Sequence, residues 1–225
     1  MNPAILQKVE TILTKDRLGV YRQDGATPEI ALARYSLNIA LSEALYPTLQ
    51  FAEIALRNAI HAALTSHTGT DSWYDNLPAL TTWQVQQVDD ARLKLRDTNK
   101  TVTSGRMVAE LNFGFWTGFF NKVHSRTGIG HLVVRNVFMQ APRPERDLAK
   151  LDSRWKRIRD LRNRIFHHER ILHWKDLDAQ QAAILQTIAW MSPELHELAT
   201  VHDRYTSIRA AGLNPWLQSL EQQWP

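Results

Sequence analysis

Apolar residues recur at spacings of three and four along almost the whole chain, and that period constrains the fold class before any motif is considered. Ile5, Leu6, Val9, Ile12 and Leu13 trace one helical face, as do Leu49, Leu56, Ile60 and Ala63. The same holds for Trp83, Val85, Val88, Ala91 and Leu95, and for Leu148, Leu151, Trp155 and Ile158. No stretch alternates with period two between turn signals, and no unit repeats at a fixed interval, so neither a sheet nor a repeat array is expected.

Punctuation residues divide these faces. Gly19 and Asp24-Gly25 end a first helix begun near residue 3, and Pro28 opens a run to Leu64 that Pro47 either bends or splits in two. Further helices are expected over 82–96, over 104–124 with Ser104 as its cap, and over 131–139. Pro142 and Pro144 precede a helix at about 144–170, followed by 178–191, by one from Ser192-Pro193-Glu194 to Gly212, and by a short tail. Gly114 and Gly118 are read as points of close backbone approach, among the large core anchors Phe113, Phe115, Trp116, Phe119 and Phe120. The expectation is an all-α bundle of about eight helices in one domain, residues 1–225, with 178–225 as packing.

With 44% hydrophobic and 22% charged residues the chain has the make-up of a soluble globular protein. Its richest apolar piece, 113–120, is too short to cross a membrane, and no basic segment with an apolar core opens the chain, so a cytoplasmic protein is expected. The absence of cysteine excludes disulfides, thiol chemistry and cysteine-bearing zinc sites. Charge is unevenly spread. Residues 143–175 hold eleven basic against five acidic side chains, a local excess larger than the formal +4 of the whole chain. Such a concentration suits a phosphate-backbone ligand, although a solvated face laced with ion pairs would carry the same residues.

Within that window lies Arg162-Asn163-Arg164-Ile165-Phe166-His167-His168-Glu169. At about 100° per residue Arg162 falls roughly in the middle of the stripe formed by Leu148, Leu151, Trp155 and Ile158, where a solvated cation does not belong. Two explanations are open: an ion pair with Asp160, Glu169 or a carboxylate from another helix, or a guanidinium facing an anionic substrate in a cleft or interface. Asn163 adds amide donors, and a histidine with an unperturbed pKa of about 6.5 suits proton transfer at neutral pH, as His167 and His168 would.

Arg162, Asn163 and His167 match the R-x4-6-H pattern, with a polar residue after the arginine, and in this the chain resembles the HEPN superfamily of all-helical ribonucleases. Three further segments, Glu53-Ile54-Ala55-Leu56-Arg57-Asn58-Ala59-Ile60-His61, Trp73-Tyr74 and Leu111-Asn112-Phe113-Gly114-Phe115-Trp116, extend the likeness. Together the four resemble the abortive-infection (Abi-like) family of bacterial phage-defence proteins over roughly residues 30–175. The resemblance implies RNA cleavage without cofactor or metal and a homodimer, with a neutralising protein or RNA as a further partner. Arg162, Asn163 and His167 are then catalytic; His168, Glu169, Arg164, Glu53, Arg57, Asn58, His61 and Arg159 support them or hold RNA. Glu53 would orient a basic residue of the site, whereas on bare spacing Glu53 and Arg57 are an i,i+4 pair worth about 0.3–0.5 kcal/mol.

Cleavage of RNA needs a base for the 2′-hydroxyl, an acid for the leaving 5′-oxygen and cations for the charge on phosphorus oxygens. His167, Arg162 and Asn163 supply acid or base, charge stabilisation and positioning, with a 2′,3′-cyclic phosphate as product. Positions 162 and 167 stand roughly 140° apart on an ideal helix, so either the helix ends near Phe166 or two copies pair across a two-fold axis to make a composite site. A metal is not expected. His168-Glu169 and His173 are one residue too far apart for the His-Glu-x-x-His arrangement, leaving Glu169 and His173 as the only i,i+4 pair of that cluster. A binding module for RNA or a protein partner, without catalysis, is the alternative.

Overall fold

The computed structural model describes residues 3–223, and each of the four apolar faces folds as helix. Its helices are α1 (Pro3–Leu13), α2 (Lys15–Gly19), α3 (Pro28–Thr68), α4 (Thr82–Asp97), α5 (Ser104–Glu110), α6 (Phe113–Thr117) and α7 (Lys122–Arg126). They continue as α8 (Ile129–Val137), α9 (Leu148–Phe166), α10 (Leu177–Met191), α11 (Pro193–Val201), α12 (Tyr205–Ala211) and α13 (Asn214–Gln223). Among the described residues there is no strand, and no helix is long and apolar enough to cross a membrane.

The helices are shorter and more numerous than the eight expected, and side-chain caps mark some of the extra breaks. The helix expected over 104–124 opens on Thr103, not Ser104: the Thr103 hydroxyl accepts from Arg106 N, while Ser104 Oγ donates to the Asp71 carbonyl at 3.0 Å. It stops at Leu111 because Asn112 Oδ1 takes Phe115 N at 2.9 Å, the hydrogen bond of a new N-cap. The helix expected to run from Ser192 to Gly212 breaks after Val201; α12 starts at Tyr205 with no side-chain bond from its N-cap Arg204, and Asp203 Oδ1 accepts from Tyr205 N at 3.0 Å. Pro47, by contrast, lies inside one continuous helix of 41 residues. The motif helix occupies Leu148–Phe166 rather than 144–170, because Arg143–Glu145 form a separate 3-10 turn and the chain leaves the helix after Phe166.

The contacts divide the chain into two compact units. The first gathers the described residues up to Pro47, Asn163–Gln181 and those from His202 onward. Its buried centre includes Leu6, Leu18 and Leu32, flanked by Val9, Leu13, Tyr35 and Leu220. The second comprises Thr48–Arg162 and Ala182–Val201. Trp73 is buried there among Phe115, Trp116 and Phe119, with ring centroids 6.0 to 6.3 Å away, and Trp155 lies against Phe113, Phe120 and Phe138. Tight approaches in this unit occur at Gly130 and at Gly114, where a Cβ would lie 3.1 Å from Asn112 Oδ1, and not at Gly118. A Cβ on Gly130 would lie 3.1 Å from the Phe119 carbonyl and 3.2 Å from that of His124, whereas at Gly118 it would meet only ordinary contacts.

Two histidines of the second unit are spent on this packing. His61 Nδ1 accepts from Trp73 Nε1 at 3.0 Å, and His124 Nε2 donates to the buried Gln84 Oε1 at 2.9 Å. Burial pushes both imidazoles below their ordinary value of 6.5, against a smaller opposing pull from Asp71 on His61. Above that value both are neutral whether the chain is folded or not. As pH falls through it, the unfolded chain takes up protons that the folded one resists, so stability declines on acidification. Urea midpoints should fall between about pH 7.5 and about pH 5.5; equal midpoints would contradict neutral, buried imidazoles.

Candidate functional site

Helix α9 ends in hydrogen bonds that its sequence dictates. His167 N still donates to the Asn163 carbonyl at 2.9 Å, but His168 adopts a left-handed φ of 57°. His168 N then reaches the Ile165 carbonyl at 3.0 Å, and Glu169 N the Arg164 carbonyl at 2.8 Å. This pair of reversed bonds is a Schellman cap, built here without glycine; histidine is among the residues that tolerate the left-handed region best. Phe166 is thus the last helical residue. His167, His168 and Glu169 are all exposed just beyond it.

The strand of chain leaving this cap is tied down from within the first unit. Asn38 of α3, only 4% exposed, accepts from Ile171 N at 2.8 Å and Leu172 N at 3.1 Å through Oδ1, and its amide donates to the Glu169 carbonyl at 3.4 Å. Arg17 donates to the His168 carbonyl, and Arg170 donates to the Val20 carbonyl while its guanidinium lies 5.9 Å over Tyr21. Arg164 pairs with Glu169 at 2.8 Å and lies 5.3 Å over Trp174. Burial, reinforced by the charges of Arg170 and Arg164, holds His173 below its ordinary value. Asn38, Arg17 and Arg170 were not singled out from sequence; the one visible signal is Asn38, an amide inside the apolar run Leu37 to Leu41.

In the second unit Arg162 meets a carboxylate from another helix: its Nε lies 3.4 Å from Glu53 Oε2, both side chains being about one quarter exposed (27% and 25%). Neither Asp160 nor Glu169 is the carboxylate found there. The centre of the apolar stripe at this turn is Leu161, fully buried, so Arg162 sits at the stripe's edge and not in its middle. Arg57 is half-buried with Nε lacking a hydrogen-bond partner, and no ion pair links it to Glu53 among the described residues. Asn58 is exposed, and His61 belongs to the Trp73 packing described above.

Much of the basic excess is consumed inside the fold. Arg154 donates to the Ala183 carbonyl at 3.1 Å and Thr187 Oγ1 at 3.2 Å, with its guanidinium 4.2 Å over Trp190. Arg159 donates to Thr117 Oγ1 at 3.1 Å, Lys156 pairs with Asp152 at 2.6 Å, and Lys150 with Glu145 at 3.0 Å. The window is therefore largely a laced helix face. Among the described residues no three His, Asp or Glu side chains are grouped as a metal ion would require. Comparison with family models, with curated proteins and with solved structures returns no match.

Proposed function

We propose that this chain is a HEPN-type endoribonuclease of the Abi-like kind, a cytoplasmic antiviral toxin that cuts RNA with no metal or cofactor. The observation that carries the reading is how α9 ends: Arg162, ion-paired with Glu53 at 3.4 Å, is followed five residues on by the exposed cap residue His167. A guanidinium and a solvent-reachable imidazole, with Asn163 next to the arginine in sequence, are residue types that 2′-hydroxyl attack uses.

In this mechanism the 2′-oxygen attacks phosphorus as its proton passes to a base, and the 5′-oxygen leaves as it receives a proton from an acid. His167 serves one of these transfers, and a second copy of the chain, in a homodimer, supplies the other. Arg162 offsets the charge gathering on the non-bridging oxygens, Asn163 positions the phosphate, and Glu53 orients Arg162. A binding module would rely on the basic face instead, yet Arg154 and Arg159 are already bonded within the second unit.

Incubation of the purified protein with total RNA in excess chelator tests the reading: cleavage is expected, and intact RNA would contradict it. Light scattering should return about twice the chain mass of 25.9 kDa. An active monomer would remove the second copy from the mechanism.

A further inference from the structure

The first unit carries two neighbouring depressions that share a wall. The larger, about 760 Å³, is lined by Tyr35, Ile39 and Tyr46 of α3, with Arg17, Arg204 and His168 also lining it. Arg204 pairs with Glu43 at 2.9 Å, which leaves Arg17 as the cation of that cleft not offset by its carboxylate. The smaller, about 340 Å³, is again lined by Arg17 and His168, now joined by Arg164, Arg170 and His173. Three arginines line it with only Asp16 and Glu169 as carboxylates, and the charges of two of them, Arg170 and Arg164, are among the causes of the lowered His173.

Beside the larger cleft Tyr46 stacks on Phe166, with ring centroids 5.5 Å apart and planes 25° from parallel. Tyr46 is nonetheless 47% exposed and Phe166 40%. An aromatic platform opening onto solvent next to a cationic hollow fits a ligand with a flat π-face at one end and an anion at the other. The size of the cleft lies within the roughly 300–1,000 Å³ common for small-molecule sites.

We propose that the two depressions form one nucleotide site, in which a base stacks on Tyr46 in the larger cleft and a phosphate is held by Arg17, Arg164 and Arg170 in the smaller. The ligand is a nucleotide of single-stranded RNA, an identification that rests on the ribonuclease reading; the site itself stands on the geometry of the first unit. Stacking without base-edge readout makes it tolerant of sequence, and its arginines make it salt-sensitive.

The test uses two probes: a fluorescent 2′-O-methyl oligoribonucleotide, which lacks the attacking hydroxyl so that binding is read apart from cleavage, and the free nucleoside 5′-monophosphates as competitors. Tyr46→Ala should weaken oligonucleotide binding by about tenfold or more, Tyr46→Phe should bind as the parent does, and Arg17→Gln should flatten the salt dependence. Oligonucleotide binding that is the same in the parent and Tyr46→Ala overturns the site while leaving the ribonuclease reading standing. Monophosphate binding that is lost in Tyr46→Ala, with no oligonucleotide binding, upholds the site for a free nucleotide and removes its RNA ligand. Absence of binding by either probe overturns the site, as does a Tyr46→Ala change that alters only the oligomeric mass, which would make this face a contact between copies.

Discussion

Replacing His167 by alanine is expected to lower RNA cleavage by about 10²- to 10⁴-fold while leaving the fold intact, because the side chain is exposed and serves one proton transfer. Arg162→Ala should be at least as damaging to cleavage, since it removes the cation on the phosphorus oxygens, and it also leaves Glu53 without its 3.4 Å partner. Glu53→Gln separates these effects: it keeps the shape and a hydrogen-bonding oxygen beside Arg162 but removes the charge, so an intermediate loss is expected. Gel assays on a defined RNA, with circular dichroism on each variant, read all three. Cleavage that survives His167→Ala in a folded protein would remove that residue from the chemistry.

The largest effect expected on stability lies at Asn38. Leucine is close in size but cannot accept from Ile171 N or Leu172 N, which now lie 2.8 and 3.1 Å from Oδ1. Stranding two backbone donors at about 1–3 kcal/mol each gives a loss of about 2–4 kcal/mol, allowing for partial relief by water. Urea unfolding measures the total, and hydrogen exchange at Ile171 and Leu172 locates it. A variant within about 0.5 kcal/mol of the parent, with both amides still protected, would show that Asn38 does not hold the segment leaving α9.

Helical period made the fold class legible, because burying one face of a helix imposes a spacing that survives in the residues themselves. The long α3 and the motif helix α9 were readable to within a few residues for that reason. The break at Leu111 was harder to read, since a cap needs one side-chain oxygen and leaves the apolar spacing on either side undisturbed. Asn112 at the head of an aromatic run was the available sign. Partners distant along the chain left no local trace. Nothing near Arg154 indicates Thr187 and Trp190, and nothing near Arg159 indicates Thr117, so much of a basic window that looked like a phosphate surface is bonded to its own fold. Arg162 shows the limit of register arguments, for a helix that drifts by a fraction of a turn placed Leu161 in the core and left the arginine at its edge.

The chemistry of the RNA ends tests the central claim most directly. A defined RNA cut by the purified protein in excess chelator should yield a 2′,3′-cyclic phosphate on one fragment and a 5′-hydroxyl on the other, as attack by the neighbouring 2′-oxygen demands. Fragments bearing a 5′-phosphate and a 3′-hydroxyl, or cleavage that appears only when a divalent ion is restored, would contradict it.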